Sequence, residues 1–120
     1  MKILVADDSR VMRQIVRRTL RQAGYGDATV VEAEDGSQAL SLVAGEQPDL
    51  VLSDWNMPGL TGLELLLRLR ADGDDRPFGF VTSEGSDQMR TTAQSAGAQF
   101  VIAKPFTADA FREALDAALS

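Results

Sequence analysis

Short apolar runs alternate with longer amphipathic stretches along the whole chain. Residues 3–6, 50–52, 78–81 and 100–103 are nearly continuous apolar runs. That pattern predicts strands buried on both faces of a parallel sheet, since a half-exposed strand would alternate. Residues 29–33 are more polar and predict an edge strand. Between the runs, Val11, Met12, Ile15, Val16 and Leu20 recur at helical spacing, as do Phe111, Ala114, Leu115, Ala118 and Leu119. Ser9, Thr61, Ser86 and Thr107 stand where helix N-caps belong. Thr61 and Glu64 fit a capping box, with Leu60 and Leu65 spaced for a hydrophobic staple. Gly24, Gly45, Gly73 and Gly97 each follow a helical stretch, as C-terminal glycines do. Gly79 is a local flaw in an otherwise apolar strand.

Five strands alternating with five helices predict an α/β fold with right-handed crossovers and helices on both faces of a parallel sheet. The 120 residues suit one domain spanning 1–120, and 44% hydrophobic content reads as globular. Composition then removes whole classes of chemistry. Without cysteine there is no disulfide, thiolate nucleophile or sulfur-bound zinc. Without histidine there is no Ser-His-Asp triad and no imidazole base. A net charge of −6 argues against nonspecific nucleic-acid binding. No apolar run is long enough to span a membrane, so a cytoplasmic location is expected.

What remains is oxygen and lysine chemistry, and it falls at strand ends. The first strand ends in Asp7-Asp8, the third in Ser53-Asp54, the fourth in Thr82-Ser83 and the fifth in Lys104-Pro105. In a parallel sheet these ends share one edge, where ligands bind. With strand order 2-1-3-4-5, the first and third strands are neighbours, and Asp7, Asp8 and Asp54 share a pocket. Three carboxylates there repel one another unless a cation compensates. A divalent cation and the Lys104 ammonium can both do so, and oxygen-only ligands suit Mg²⁺. A carboxylate beside Mg²⁺, a lysine and a hydroxyl form a site for a transferring phosphoryl group, with Asp54 as nucleophile.

At these residues the chain resembles the receiver domain of two-component response regulators, over essentially its whole length. The matching segments are Val5-Ala6-Asp7-Asp8-Ser9, Asp54-Trp55-Asn56-Met57-Pro58-Gly59, Gly62-Leu63-Glu64-Leu65-Leu66, Thr82-Ser83-Glu84, Ala96-Gly97-Ala98 and Lys104-Pro105-Phe106. The stretch from Asp54 to Leu66 is similar to the single-domain chemotaxis regulators of the CheY type. The resemblance implies a flavodoxin-like, doubly wound five-stranded sheet of order 2-1-3-4-5. It implies Asp54 as phosphoacceptor, with Asp8 and Asp54 binding Mg²⁺ directly, Asp7 through water and Asn56 through its backbone carbonyl. Thr82 would bond the phosphoryl group, Lys104 would pair with it, and the Lys104–Pro105 peptide would be cis. Asn56 and Glu84 hold the two positions that tune autodephosphorylation in the family.

The family often carries Tyr or Phe three residues before the lysine, as a switch. Here that position is Val101, and the aromatic is Phe100, one place earlier. A one-residue shift on a strand reverses the face, so Phe100 is not expected to stand in for the switch. The implied donor is a histidine kinase or histidine phosphotransfer protein. The implied output is a partner bound on the face made by the fourth helix, fifth strand and fifth helix. The chain ends just after the fifth helix, so output through a binding partner is expected.

The first helix carries Arg10, Arg13, Arg17, Arg18 and Arg21, five of the twelve basic residues. These read either as a solvated face or as a docking surface for an acidic phosphodonor, with Arg10, Arg13 and Arg17 as candidates. Like charges four apart disfavour the helix by roughly 0.2–0.5 kcal/mol per pair. Trp55 is expected half-exposed at the pocket rim, and the thin stripe of Met89, Ala93 and Ala96 gives the fourth helix little packing. Two other classes share parts of the pattern. A metal-dependent aspartyl-phosphate phosphatase would carry Asp-x-Asp after the first strand, where adjacent aspartates stand. A flavodoxin-like FMN carrier would need a hydroxyl- and glycine-rich loop in place of Asp7-Asp8-Ser9-Arg10.

Overall fold

The apolar runs pair side by side because neither of their faces holds enough polar surface to stay wet. In the computed structural model, residues 1–83 and 85–120 are described. The strands are β1 (Lys2–Ala6), β2 (Thr29–Ala33), β3 (Leu50–Ser53), β4 (Phe78–Thr82) and β5 (Phe100–Ala103). The helices are α1 (Arg10–Leu20), α2 (Gly36–Glu46), α3 (Gly62–Ala71), α4 (Asp87–Ala96) and α5 (Ala108–Leu119). The sheet is parallel throughout, in the order β2-β1-β3-β4-β5. The partly exposed β2 is one edge, as its polarity predicts. The other edge is β5, and three of its four residues are only half-buried. Residues 100–103 are therefore not the fully buried strand their apolar run predicts, because an edge strand has a neighbour on one side only. Among the described residues no helix is long and apolar enough to cross a membrane.

Strand alternation divides the core into two layers. Leu4, Val51, Phe78 and Phe80 pack against α2, α3 and α4 through Val43, Leu65, Leu69 and Ala93. Ile3, Val5, Leu52 and Val81 pack against α1 and α5 through Val16, Leu20, Phe111 and Leu115. The fold is therefore doubly wound, and the strand order reverses beside β1.

The helix starts follow the predicted chemistry. Ser9, Thr61, Ser86 and Thr107 each accept a hydrogen bond from the backbone N–H three residues on. The Thr61–Glu64 capping box closes with bonds of 3.2 and 3.1 Å. The sequence reading missed Asp35, which caps α2 in the same way. It also misplaced one stop. Gly45 lies inside α2, and the left-handed residue ending that helix is Gln47, at φ 49°. Its side chain compensates by donating to the Ala44 carbonyl and accepting from Arg76.

The glycine in β4 has a packing reason. Gly79 faces Phe100 in the β4–β5 register, and a Cβ at Gly79 would overlap the Phe100 ring. The ring fills the space that the missing side chain leaves. Phe100 thus packs with the α1/α5 layer, whereas Val101 packs with the layer that includes α4.

Candidate functional site

Sheet register builds the site. Ala6 pairs with Ser53 between β1 and β3, so the next residues, Asp7 and Asp54, emerge side by side. The ladder runs one step past each strand. Asp7 N–H donates to the Ala33 carbonyl, Asp54 N–H to that of Ala6, and Lys104 N–H to that of Thr82, at 3.0, 2.9 and 2.8 Å. These bonds fix three ionisable residues at the carboxyl edge. Asp7, Asp8 and Asp54 each present a carboxylate oxygen within 4.8 Å of the others. Lys104 Nζ lies 3.6 Å from Asp7 Oδ2 and 3.9 Å from Asp54 Oδ2.

Burial and charge oppose each other here. Asp7 is 4% exposed, Asp54 is half-buried and Asp8 is exposed. Burial pushes the Asp7 carboxyl above its ordinary value, while the Ser9 N–H and the Lys104 ammonium pull it back. Burial likewise raises Asp54. Lys104 lowers it, neighbouring Asp7 raises it, and the N–H groups of Trp55 and Asn56 lower it. The oxygen-only donor set and its excess negative charge fit a hard divalent cation such as Mg²⁺.

The loop after β3 is held by close approach. Gly62 N–H donates to the Trp55 carbonyl at 3.1 Å, and a Cβ at Gly62 would overlap the Asp54 carbonyl oxygen. Only glycine lets α3 start this close to Asp54. Trp55 is half-buried, its ring centroid 4.8 Å from that of Phe80. It lines a cleft with Ser86, Gln88, Met89 and Thr92 at the start of α4. Asn56 is exposed two residues after Asp54.

Thr82 is fully buried at the end of β4, in register with Ala103. The Lys104–Pro105 peptide is cis. Val101 is half-buried, and its carbonyl accepts from Arg90 Nη1 at 2.9 Å. Beside it a groove of about 580 Å³ opens along β5 and α5, lined in part by Arg90, Pro105, Phe106, Ala110 and Glu113. Glu84 lies outside the described residues.

The arginines of α1 do not form one uniform face. Arg10, Arg18 and Arg21 are exposed. Arg13, with its side chain 12% exposed, turns inward to Glu32 and to the Asp7 carbonyl. Arg17 bonds the other oxygen of Glu32 at 3.1 Å. That shared carboxylate offsets the like-charge repulsion expected from the spacing. The sequence gives no local sign of this, because Glu32 is nineteen residues from Arg13.

Comparison with known proteins agrees with this geometry. The response regulator receiver domain family matches residues 3–116. A chemotaxis protein CheY homolog of Campylobacter jejuni is 42% identical over 119 residues, which cover 97% of this chain and 90% of that protein. Chemotaxis protein CheY-3 of Vibrio cholerae is 41% identical over 118 residues, covering 97% and 89%. The solved structure of Vibrio cholerae chemotaxis protein CheY4 superposes with a TM-score of 0.85 at 33% identity, over 98% of both chains. On sequence, on topology and on the aspartates at its carboxyl edge, this chain belongs to the response regulator receiver domain family, and within it to the CheY type.

Proposed function

We propose that the chain, as one receiver domain over residues 1–120, is a phosphorylation-controlled binding module that takes its phosphoryl group on Asp54. The observation that carries this is the convergence of Asp7, Asp8 and Asp54 within 4.8 Å, with Lys104 beside two of them. An Asp54 carboxylate oxygen attacks phosphorus, and the bond from phosphorus to the donor's imidazole nitrogen breaks. The electron pair of that bond stays on the imidazole, and Asp54 becomes an acyl phosphate. Asp8, Asp54 and the Asn56 carbonyl would hold Mg²⁺, with Asp7 acting through water. When bound, the ion supplies positive charge to the phosphoryl oxygens and relieves the carboxylate repulsion. Lys104 pairs with a phosphoryl oxygen, and Thr82 donates its hydroxyl to another.

The donor that membership of the receiver family implies is a histidine kinase or histidine phosphotransfer protein, and with no histidine in this chain the phosphohistidine is the donor's. It docks over α1 through Arg10 and Arg17; Arg13, a third candidate on the sequence, is turned inward onto Glu32 and the Asp7 carbonyl and so does not belong to the docking face. Arg10 is exposed and Arg17 partly so, which supports an acidic partner there. The output partner takes the α4/β5/α5 face, and the groove beside Val101 supports that assignment. Thr82 and Val101 are the switch positions. Chemotaxis is the process suggested by the relatives, and the cytoplasm the place.

Intact mass after incubation with Mg²⁺ and a small acyl-phosphate donor tests the reading. One added phosphoryl group is expected, dependent on Mg²⁺ and absent from Asp54→Asn. Phosphorylation that persists in Asp54→Asn would overturn the assignment.

A further inference from the structure

We propose that Arg13 is a positioning residue for the acidic pocket. It holds the turn between β1 and α1 so that Asp7 and Asp8 keep the spacing a divalent cation needs. The proposal rests on the reading of that pocket given above. Arg13 Nη1 donates to the Asp7 carbonyl at 2.7 Å, and its Nε donates to Glu32 Oε1 at 2.8 Å. The Asp7 carbonyl belongs to the peptide plane that joins the two aspartates. Holding that plane between β1 and the start of α1 restricts ψ of Asp7 and φ of Asp8, and so the direction in which the Asp8 side chain leaves the turn.

The anchor is itself rigid. Glu32 sits on β2, whose register with β1 pairs it to Val5. Its second oxygen is bonded by Arg17, one turn further along α1. Arg13 therefore ties three elements together at the lip of the pocket: β2, α1 and the turn after β1. Its planar fork suits this work, because one group can donate in two fixed directions. Nearly all of the side chain is covered, so the contact is built into the fold.

Charge and geometry make opposite predictions for this residue. A cation close to a cation site weakens binding by repulsion, so removing it for charge alone would tighten Mg²⁺ binding. Loss of positioning weakens binding, typically by about tenfold or more for residues that orient metal ligands. Mg²⁺ titration of Arg13→Ala, followed by Trp55 fluorescence and by calorimetry, separates the two. About tenfold weaker binding is expected. Phosphorylation of Asp54 should slow at low Mg²⁺ and return towards the wild-type rate at saturating Mg²⁺.

Affinity that is unchanged or tighter in a folded Arg13→Ala protein overturns the proposal, as does a rate defect that saturating Mg²⁺ leaves untouched. Glu32→Gln is the second variant, in case Arg13→Ala does not fold. It keeps Arg13 but removes its charged anchor, and it should weaken Mg²⁺ binding in the same direction. Unaltered affinity in that variant also overturns the proposal. If the wild-type chain itself fails to bind Mg²⁺, the reading of the pocket fails too. If only the variants match wild type, the role of Arg13 alone is lost.

Discussion

Replacing Asp7 with asparagine should make the metal-free protein more stable at neutral pH. Asp7 is almost fully buried, and its carboxyl is raised above the ordinary carboxylate value, chiefly by burial. Its neighbours do not rescue it. At an effective dielectric of ~20, Lys104 at 3.6 Å attracts it by about 4.6 kcal/mol, and Asp54 within 4.8 Å repels it by at least about 3.5 kcal/mol. Exposed Asp8 adds a further, water-screened repulsion. The Coulomb terms nearly cancel, so the cost of burying the charge decides the sign.

Asparagine keeps the volume and the carbonyl oxygen that accepts from Ser9 N–H at 2.8 Å. The net gain should be about 1–3 kcal/mol, the range for relieving one poorly solvated polar group. That corresponds to roughly 3–5 °C in Tm per kcal/mol at this chain length. The pH dependence follows from the direction of the shift. Below the unfolded value both states are protonated and the charge penalty is absent. As pH rises through the raised folded value, the native state gives up a proton that the unfolded state has already lost, and wild-type stability falls. The assay is urea unfolding of both proteins with a chelator present, at pH 7 and again below the ordinary carboxylate range. The advantage of Asp7→Asn should shrink at the acid end, and Mg²⁺ should narrow it at pH 7. A variant less stable at pH 7, or an equal advantage at both pH values, would refute the reasoning.

Other sites give independent checks. Gly79→Ala should destabilise the fold by about 1–3 kcal/mol through overpacking against Phe100. In a Phe100→Ala background the same change should be close to neutral, and simple additivity in denaturant melts would rule out the overlap as the cause. Thr61→Ala removes the α3 capping box and should cost about 1 kcal/mol in urea unfolding, whereas an unchanged midpoint would show that the cap contributes nothing. Tyr25, the single tyrosine, is pushed up to about 12 by burial and by its hydrogen bond to Asp116. The stability linked to that phenol is complete below its ordinary value of 10.0 and is lost as pH rises through about 12. Phenolate absorbance should titrate near 12, and Asp116→Asn should bring the midpoint part of the way down. An unmoved midpoint would assign the whole shift to burial.

Much of the site was legible because parallel strands send their carboxyl ends to one edge. Asp7, Asp54, Thr82 and Lys104 each follow an apolar run, so a reading of strand ends gathers them without coordinates. Caps at Ser9, Thr61, Ser86 and Thr107 were equally local, each a side chain bonding an N–H three residues on. Gly45 misled because a glycine can sit inside a helix. In fact α2 runs on to Glu46 and stops at Gln47, since Pro48 disfavours the right-handed helical conformation for the residue before it.

The sequence by itself determined the alternation of strands and helices, the burial of both sheet faces and the set of groups able to do chemistry. Those properties follow from periodicity and residue type, which act over a few positions. The tertiary structure decided what depends on distant neighbours. It set Phe100 against Gly79 and left Val101 on the α4 side, because strand register chooses which faces meet. It turned Arg13 inward onto Asp7 and Glu32, because only the folded sheet brings β2 beside α1. It raised Asp7 and Asp54 together, because burial and the charges around a group are properties of the packed molecule and not of any one residue.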